Sequence, residues 1–426
     1  MTVINLHHIT KVEGHANVTI KVRENKVEKV QLEVVEGARL FEAIVKGRKH
    51  DEVAHFTSRI CGICSVSHHL AATIAVENAL GVLVSEQTQR LRELLNIGEM
   101  LQSHALHLFL LALPDYYGFS SAIEMSQKHK ELVVMGLNMK KLGNEIMEVI
   151  GGRAIHPVTT TIGGFHKLPD RAMLHNLAEK MRSAISDAQK TAEIFASLDT
   201  EFFARRTEYF CISELRGYPN IAGSLISTEK VNCLQKEYQK YIQERVMGYS
   251  RSKFSVSKNR GFMVGALARV NNCREKLSAT AQRAIRNAKI IFPNYNPFMN
   301  NFCQAVELIH YLEQGISIIK RLELKEESLP EFELPKKEAR GVGIVEAPRG
   351  ILIHDYTIDK HGEVIAANII TPTAMNLRNI EEDIEKFLPR LLKMRQEEIV
   401  LELEKLIRAY DPCISCSTHF LEVKWE

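Results

Sequence analysis

The chain lacks an apolar run long enough to cross a bilayer. Its most apolar helical stretch, Leu106–Leu113, is far shorter than the ~20 residues that a membrane helix needs. Neither sign of charge dominates, because 55 Lys and Arg face 52 Asp and Glu and leave a net charge of +3. The basic run Arg251–Arg260 has no interleaved aromatic residue beyond Phe254. These absences argue against a membrane protein and against a nucleic-acid-binding protein.

Repeats, low-complexity tracts and a Gly-x-Gly-x-x-Gly segment are also missing. The start, Met1–His8, has no basic stretch followed by an apolar run, which predicts a cytoplasmic protein without a secretory leader. A reducing cytoplasm disfavours disulfides. With 426 residues and 45% hydrophobic content, the chain can bury a large core without the help of a metal.

Cysteine is scarce, yet four of the eight cysteines form two Cys-x-x-Cys motifs at opposite ends of the chain. The first is Cys61–Cys64 and the second is Cys413–Cys416. Four thiolates in two chelating pairs make a complete tetrahedral set for a soft or borderline metal. Because nearly the whole chain separates the pairs, such a site exists only in the folded protein. The remaining cysteines are scattered singly and indicate small core or surface residues: Cys211, Cys233, Cys273 and Cys303.

A structural zinc site is the alternative for the four cysteines. Zinc modules usually bring their cysteine pairs close together in sequence, because the metal replaces a core in a small unit. A chain of this size does not need that replacement, which favours a metal with another purpose. A disulfide between the two ends is the other alternative, and the absence of a leader disfavours it.

Hydrophobic periodicity predicts a mainly helical α+β fold with small β-sheets near the N- and C-terminal parts. We expect one intertwined domain over residues 1–426, in which the sheets bring the two cysteine loops together. A solvated connection is expected at Glu323–Glu338. Hairpins are predicted from Asn17–Val22 with Val27–Val35, and from Val342–Ile358 with Val364–Ile370. Helices are predicted over Gln87–Leu113, Leu132–Ile150, Arg171–Leu198, Thr228–Val246, Cys273–Ile291, Pro297–Leu322, Ile380–Arg395 and Glu397–Tyr410.

The ordered motifs of the chain resemble those of the [NiFe]-hydrogenase large subunit. A single Cys-x-x-Cys is not specific, whereas the whole set in the family's order is. Leu113–Tyr116 and the shortness of the chain most resemble the cytoplasmic NAD(P)-linked hydrogenases, including the sulfhydrogenases. The segments that carry the resemblance are Lys11–His15, Arg59–Cys64 with His68, Glu346–Gly350, Thr371–Asn376 and Asp411–His419.

This resemblance implies a nickel–iron centre held by the four cysteines. Cys61 and Cys413 would be terminal ligands of nickel, and Cys64 and Cys416 would bridge nickel and iron. One CO and two cyanides would complete the iron. Thiolates suit both metals, and a terminal thiolate can also accept a proton.

A third metal site, magnesium or iron, is implied by the same resemblance. Its ligands would be the Glu42 carboxylate, the Ile369 carbonyl and the His419 imidazole, together with waters. Just after His419, a maturation endopeptidase would remove residues 420–426 once the metals are in place.

The resemblance also assigns residues around the nickel–iron centre. Glu13 would relay protons beside Cys413, and Arg349 would act as a base above the open metal position while donating to the cyanides. The other residues assigned to the surroundings are His68, Pro348, Thr373 and Asp411.

The sequence departs from the family's pattern in two places. Lys11 stands where the family usually has Arg, which we expect to alter a structural ion pair more than the proton relay. Ser103 stands where many members have Asp, and serine cannot carry that negative charge. His104 is expected to be a hydrogen-bonded core histidine and not a ligand.

The activity implied is the reversible heterolytic cleavage of dihydrogen into protons and electrons. The chain has neither enough grouped cysteines for iron–sulfur clusters nor a dinucleotide motif. We therefore expect an iron–sulfur small subunit, with flavin-containing diaphorase subunits leading to NAD(P) by resemblance. The alternatives are a dihydrogen-sensing regulatory hydrogenase and a zinc-stabilised structural subunit. Retention of all four cysteines argues against a structural subunit of the respiratory complex I type.

Overall fold

The computed structural model describes residues 2–6, 9–24, 26–37, 40–200, 203–214 and 217–418. About 49% of the protein is helical, and several small sheets accompany the helices, which confirms the predicted α+β class. The α-helices of the described ranges are α1 (Phe41–Val45), α2 (Val53–Thr57), α3 (Ser65–Leu80), α4 (Glu86–Ala105), α5 (Leu113–Tyr116), α6 (Ala122–Met125), α7 (Lys130–Gly151), α8 (Arg171–Ser197), α9 (Ala266–Cys273), α10 (Ala279–Ala288), α11 (Met299–Arg321), α12 (Pro372–Leu391) and α13 (Gln396–Ala409).

The strands form small, separate sheets. The sheet orders are β1-β2-β3, β4-β5, β11-β6-β7-β8, β10-β9 and β12-β13-β14. All neighbouring pairs are antiparallel except β11 with β6. The strands are β1 (Thr2–Leu6), β2 (Ala16–Arg23), β3 (Lys26–Val34), β4 (Thr160–Thr161), β5 (Gly164–Phe165), β6 (Glu208–Ser213), β7 (Ser224–Ser227), β8 (Asn232–Cys233), β9 (Gln243–Val246), β10 (Lys253–Val256), β11 (Phe262–Met263), β12 (Ala339–Ala347), β13 (Gly350–Ile358) and β14 (Val364–Ile370).

The two predicted hairpins are present, but the second is built from three strands. Along β2 every second residue is buried, as its alternating sequence predicts. The prediction of a single arm over Val342–Ile358 is wrong, because β12 ends at Ala347 and β13 begins opposite it at Gly350. Pro348 has no N–H to continue a ladder, and Gly350 has a φ of +130° that other residues rarely adopt.

One predicted helix, Thr228–Val246, is wrong. The segment instead contributes β8, a 3₁₀ turn at Gln235–Lys240 and β9. Its buried side chains include Val231, Tyr238 and Ile242. They pack in a second apolar cluster with residues of strands β6, β7, β12, β13 and β14. Pairing with β7 therefore outweighs the helical preference of its many Glu, Gln and Lys residues.

Most of the other predicted helices are close to the observed ones. The predicted helix Gln87–Leu113 corresponds to α4 followed by a π-helical segment, Leu106–Ala112. The predicted Cys273–Ile291 helix is interrupted by a 3₁₀ turn and begins properly only at α10. Glu323–Glu338 contains no helix or strand and is largely exposed, as expected. No helix in the described residues has both the length and the apolarity to span a bilayer.

Helix α3 lies directly on strand β12, and this contact orients the first cysteine loop. Gly341 and Gly343 make the close approach possible. A Cβ at these positions would fall 2.0 Å from the Ala75 carbonyl oxygen and 2.2 Å from that of Ala71. The helix is therefore fixed against the sheet, with Cys64 at its N-terminus directed toward the C-terminal loop.

Candidate metal centre

The fold brings the four motif cysteines into one buried cluster. Their Sγ atoms all lie within 4.8 Å of one another. Cys61 is 3.7 Å from Cys413, and Cys64 is 3.6 Å from Cys416. Each cysteine is at most 6% exposed. The two distant pairs therefore form one four-sulfur set of the kind that the spacing predicted.

The first loop directs backbone N–H groups at a sulfur. Cys61 Sγ accepts from the N–H groups of Ile63 at 3.2 Å and of Cys64 at 3.3 Å. These donors stabilise a thiolate at Cys61. Behind the loop, the Glu99 carboxyl on α4 accepts from the N–H groups of Val66 at 2.7 Å and Ser67 at 3.0 Å. This contact anchors the start of α3.

The second loop pairs with a segment from the other end of the chain. Cys413 forms a parallel bridge with Glu13, and the Ile414 N–H donates to the Glu13 carbonyl at 2.8 Å. The Cys413 N–H donates to Thr373 Oγ1 at 2.9 Å. Gly14 has a φ of +84°, and a Cβ there would lie 2.8 Å from the Ser415 nitrogen. Only glycine lets the N-terminal segment approach this closely.

The cluster carries less negative charge than four thiolates would. Hydrogen bonding to Cys413 and then to the other two cysteines lowers the pKa of the Cys61 thiol. Burial raises the pKa of the Cys413 and Cys416 thiols. Ionisation of all four sulfurs in this dry site therefore requires a cation between them, which is what a soft metal ion supplies.

A small cavity beside the sulfurs offers hydrogen-bond donors. Arg349 is 4% exposed, and its Nη1 has no hydrogen-bond partner within the described ranges. Thr373 Oγ1 accepts from a backbone N–H, so its own hydrogen is available to the cavity. The cavity is lined by Cys64, His68, Ala347, Arg349, Leu352, Pro372, Thr373, Cys413 and Cys416. Anionic ligands on a metal would accept from these donors, whereas a zinc ion held by the four thiolates alone would have no further ligand to do so.

Asp411 holds the Arg349 side chain in this position. Arg349 Nε donates to the Asp411 carbonyl at 2.7 Å and to its Oδ1 at 3.1 Å. Gln304 donates to the other carboxylate oxygen at 3.1 Å. Although burial opposes the charge of Arg349, Asp411 and the nearby cysteines outweigh it and raise the guanidinium pKa. The guanidinium is therefore a fixed cation above the sulfurs.

Glu13 contacts the cluster directly. Its Oε2 accepts from Cys413 Sγ at 3.1 Å and from the Ser415 N–H at 3.0 Å. Glu13 is partly exposed, whereas Cys413 is 1% exposed. The carboxylate thus lies between a buried sulfur and the protein surface, where it can pass protons.

The proposed third metal site is described only in part. Glu42 and Ile369 come together, because the Ile369 N–H donates to Glu42 Oε1 at 3.0 Å. Lys253 Nζ lies 3.2 Å from Glu42 Oε1 and 3.3 Å from Glu244 Oε1. His419, and the segment 420–426 expected to be removed, lie outside the described residues. The Lys253 ammonium offsets one of the two carboxylate charges, and the remaining negative charge favours binding of a cation.

The two departures from the family's pattern have different structural settings. Lys11 forms an ion pair with Asp115, which also pairs with Arg408. The substituted position therefore belongs to a structural ion-pair group, as expected. Ser103 is buried, and its hydroxyl finds no partner among the described residues. His104 Nε2 lies 2.8 Å from Glu307 in the core.

A buried ionic network behind Pro348 was not anticipated from the sequence. Arg269 donates to Glu307 at 2.6 Å, to Glu346 at 2.9 Å and to the Pro348 carbonyl at 3.1 Å. It thereby fixes the turn that presents Arg349. Pro348 acts through this carbonyl and does not line the cavity. Of the three charged residues, only Glu346 lies in a recognised motif. Arg269 and Glu307 occur singly in helices α9 and α11.

Comparisons with known proteins identify the family. The profile described as nickel-dependent hydrogenase matches residues 39–134 and 235–419, which is more than half of the chain. The chain belongs to the nickel-dependent hydrogenase family. This confirms the resemblance inferred from the ordered motifs.

The relatives of this hydrogenase match along nearly its whole length. Sulfhydrogenase 1 subunit alpha of Pyrococcus furiosus is 37% identical over 99% of the chain and 98% of its own length. Sulfhydrogenase 2 subunit alpha of the same organism is 36% identical over 99% of the chain and all of its own length. A crystal structure of an NAD+-reducing [NiFe]-hydrogenase in the H2-reduced state has a TM-score of 0.90 at 27% identity, covering 98% of the chain and 100% of that chain. The protein is therefore a catalytic [NiFe]-hydrogenase subunit and an oxidoreductase.

Proposed function

We propose that the chain is the dihydrogen-cleaving subunit of a cytoplasmic complex that passes electrons through an iron–sulfur small subunit toward NAD(P). The observation that carries the proposal is the four-sulfur cluster beside a cavity with unused donors from Arg349 and Thr373. The likeness to an NAD+-reducing enzyme and to sulfhydrogenase alpha subunits supports NAD(P) as the electron acceptor.

The chain's own sulfurs would hold the metals. Cys61 and Cys413 would bind nickel alone, and Cys64 and Cys416 would be shared with an iron that carries one CO and two cyanides. When bound, this pair supplies the Lewis-acid and redox chemistry that splits dihydrogen. The Arg349 Nη1 and the Thr373 hydroxyl would hydrogen-bond to the cyanides, which otherwise would be buried anions without donors.

The chain's residues then handle the proton. Cys413 Sγ, as a terminal thiolate, takes it and delivers it to Glu13 Oε2, 3.1 Å away. The partly exposed carboxylate passes it outward. Arg349, held by Asp411, keeps a positive charge over the cavity. It would act as the alternative base only after releasing a proton, which its raised pKa opposes.

A third cation at Glu42 and Ile369 would stabilise the C-terminal loop behind the cluster. Hard oxygen ligands with waters suit magnesium, and an added imidazole from His419 also suits iron. Lys253, close to Glu42 and Glu244, reduces the charge that the cation must balance.

Partners and maturation follow from what the chain does not supply. Within the described residues, the four cysteines are the only cluster of three or more potential metal ligands. Electrons must therefore leave by iron–sulfur clusters on a small subunit, with flavin-containing diaphorase subunits beyond it. We place the whole of residues 1–426 in one domain, since one apolar cluster includes residues from Ile4 to Cys416.

An endopeptidase would cut after His419. Within the described residues none of the eight cysteines forms a disulfide, which suits a reducing cytoplasm.

Infrared absorption of the purified complex in the triple-bond region tests the proposal. Bands from one CO and two cyanides that shift under dihydrogen are the expected result. A fully matured complex, cut after His419, without these bands would contradict the diatomic ligands and return the cysteines to a structural metal. A diaphorase assay with NAD+ and NADP+ then tests the electron acceptor separately.

A further inference from the structure

Three buried side chains form a hydrogen-bonded chain that leads away from the metal cavity. His68 lines the cavity, and its Nδ1 lies 3.0 Å from His354 Nε2. His354 Nδ1 lies 2.5 Å from the Tyr356 hydroxyl. Each of the three residues is at most 1% exposed. His354 and Tyr356 lie on β13, outside every motif that carried the family resemblance.

The hydrogen bonds couple the tautomers of the two histidines. A neutral imidazole carries its proton on one nitrogen and accepts on the other. When the Tyr356 hydroxyl donates to His354 Nδ1, the His354 proton must be on Nε2. His354 then donates to His68 Nδ1, which leaves the His68 proton on Nε2. In this arrangement His68 is a donor on the ring edge away from His354.

The reversed arrangement would make His68 an acceptor. Tyr356 also contacts Thr57, whose Oγ1 donates to the Val53 carbonyl at 3.0 Å and could accept the tyrosine proton. His354 would then donate to Tyr356 and accept from His68, leaving His68 Nε2 without a proton. When the cysteines bind a metal as thiolates, that nitrogen lone pair would face sulfurs that only accept hydrogen bonds. The first arrangement avoids this repulsion.

We propose that His354 and Tyr356 are positioning residues that fix His68 as the Nε2–H tautomer and so make it a donor toward the sulfur cluster. Residues that hydrogen-bond to the far nitrogen of a histidine near a metal commonly set its ring orientation and tautomer. The functional consequence at the centre rests on the proposed function, but the tautomer requires only that a metal holds the cysteines as thiolates. It can therefore be measured on the metal-loaded chain whether or not the centre carries CO and cyanide.

Long-range 1H–15N correlation of the full-length, metal-loaded chain, labelled with ring-15N histidine, tests the proposal. The signal of His68 is identified by its loss in His68→Gln. We expect a single Nε2–H pattern for His68 at neutral pH. Tyr356→Phe should turn it into a mixture of both tautomers, because His354 Nδ1 loses its donor. The matched control is Tyr238→Phe, which removes a buried hydroxyl that donates to Asp355 at 2.9 Å and should leave His68 unchanged.

Two substitutions of His354 provide an independent test if Tyr356→Phe is unstable. His354→Gln retains an N–H near the position of Nε2 and should preserve the His68 pattern, whereas His354→Leu should lose it. In the matured complex, the iron–CO band should shift in Tyr356→Phe and remain in place in Tyr238→Phe. An Nδ1–H pattern for His68 in the unaltered chain would overturn the proposal. So would an unchanged pattern in a folded Tyr356→Phe or His354→Leu chain.

Discussion

Glu99 and Glu13 each hold one of the two cysteine loops, yet their surroundings differ. Glu99 is 0% exposed and accepts from two backbone N–H groups in the first turn of α3, directly after the first loop. Glu13 is partly exposed and accepts from a backbone N–H and from the Cys413 sulfur of the second loop. Burial raises the pKa of Glu99 to about 8. Similar carboxyl groups on the two sides of one cluster are therefore suited to different tasks.

The comparison shows how burial separates anchoring from proton transfer. Glu99 is fully buried, and among the described residues it accepts from the Val66 and Ser67 N–H groups and not from a sulfur, so its contacts stabilise the start of α3. Glu13 meets both conditions for a relay, since it contacts a thiol and reaches the surface.

Removing a shared sulfur should abolish activity whichever loop supplies it. Cys64→Ser and Cys416→Ser each replace a thiolate with a hydroxyl that binds nickel and iron poorly. We expect loss of both metals and of dihydrogen oxidation, measured by metal analysis and a dye-reduction assay. Cys233→Ser, outside the cluster, is the control and should keep both. Full nickel occupancy in either cluster variant would contradict the assignment.

Replacing the relay carboxylate should slow proton transfer and leave the metals in place. Glu13→Gln cannot accept the proton of Cys413, so we expect dihydrogen/deuterium exchange to fall by ~100-fold or more. Nickel and iron contents should match the unaltered enzyme. Exchange at the normal rate would show that protons leave by another path, with Arg349 the next candidate.

Glu99→Gln, the matching substitution beside the first cysteine loop, should lower stability and leave dihydrogen/deuterium exchange nearly normal. In Glu99→Gln, the amide NH2 cannot accept from one of the two backbone N–H groups. We expect a loss of about 1–3 kcal/mol in the free energy of unfolding below pH 4.5, where Glu99 is protonated in both the folded and the unfolded chain, measured by denaturant titration. Exchange per bound nickel should remain within a few-fold of normal. A large loss of exchange with full metal content would erase the distinction between the two carboxylates.

The pH dependence of stability should report Glu99. Its pKa is raised from 4.5 to about 8 by burial, so the folded chain binds this proton more tightly than the unfolded chain. The contribution is present below the unfolded value and is lost as pH rises through about 8. Relative to Glu99→Gln, the unaltered chain should lose up to ~1.4 kcal/mol per pH unit between these values. Parallel curves for the two proteins would contradict a buried proton on Glu99.

The smallest effect is expected at Lys11, beside the Glu13 segment. Lys11→Met removes one of the two cations that pair with Asp115, while Arg408 remains. We expect a loss of about 1 kcal/mol, as for a partly exposed ion pair, and near-normal exchange. Lys11→Arg, the residue usual in the family, should retain stability. A large loss of dihydrogen/deuterium exchange in Lys11→Met, without a matching loss of stability, would show that Lys11 takes part in the proton relay.

The sequence predicted the parts of the site that lie in ordered motifs. Cys61, Cys413 and Glu13 were assigned because each lies within a short motif that can be recognised in the sequence itself. Glu99 and His354 were not, because each acts through a contact with a residue more than thirty positions away on another element. Tyr356 was not, because it acts only through His354, its neighbour on the same strand. The same cause explains the helix wrongly predicted at Thr228–Val246, since strand pairing with β7 is a tertiary interaction.

Anomalous diffraction at the nickel and iron edges, on crystals of the matured complex, would show directly which metals the four cysteines hold. We expect one nickel and one iron peak among the four Sγ atoms. Cys61 and Cys413 should lie near nickel alone, and Cys64 and Cys416 should lie between the two peaks. A single zinc peak at the centre of the four sulfurs, with neither nickel nor iron, would contradict it.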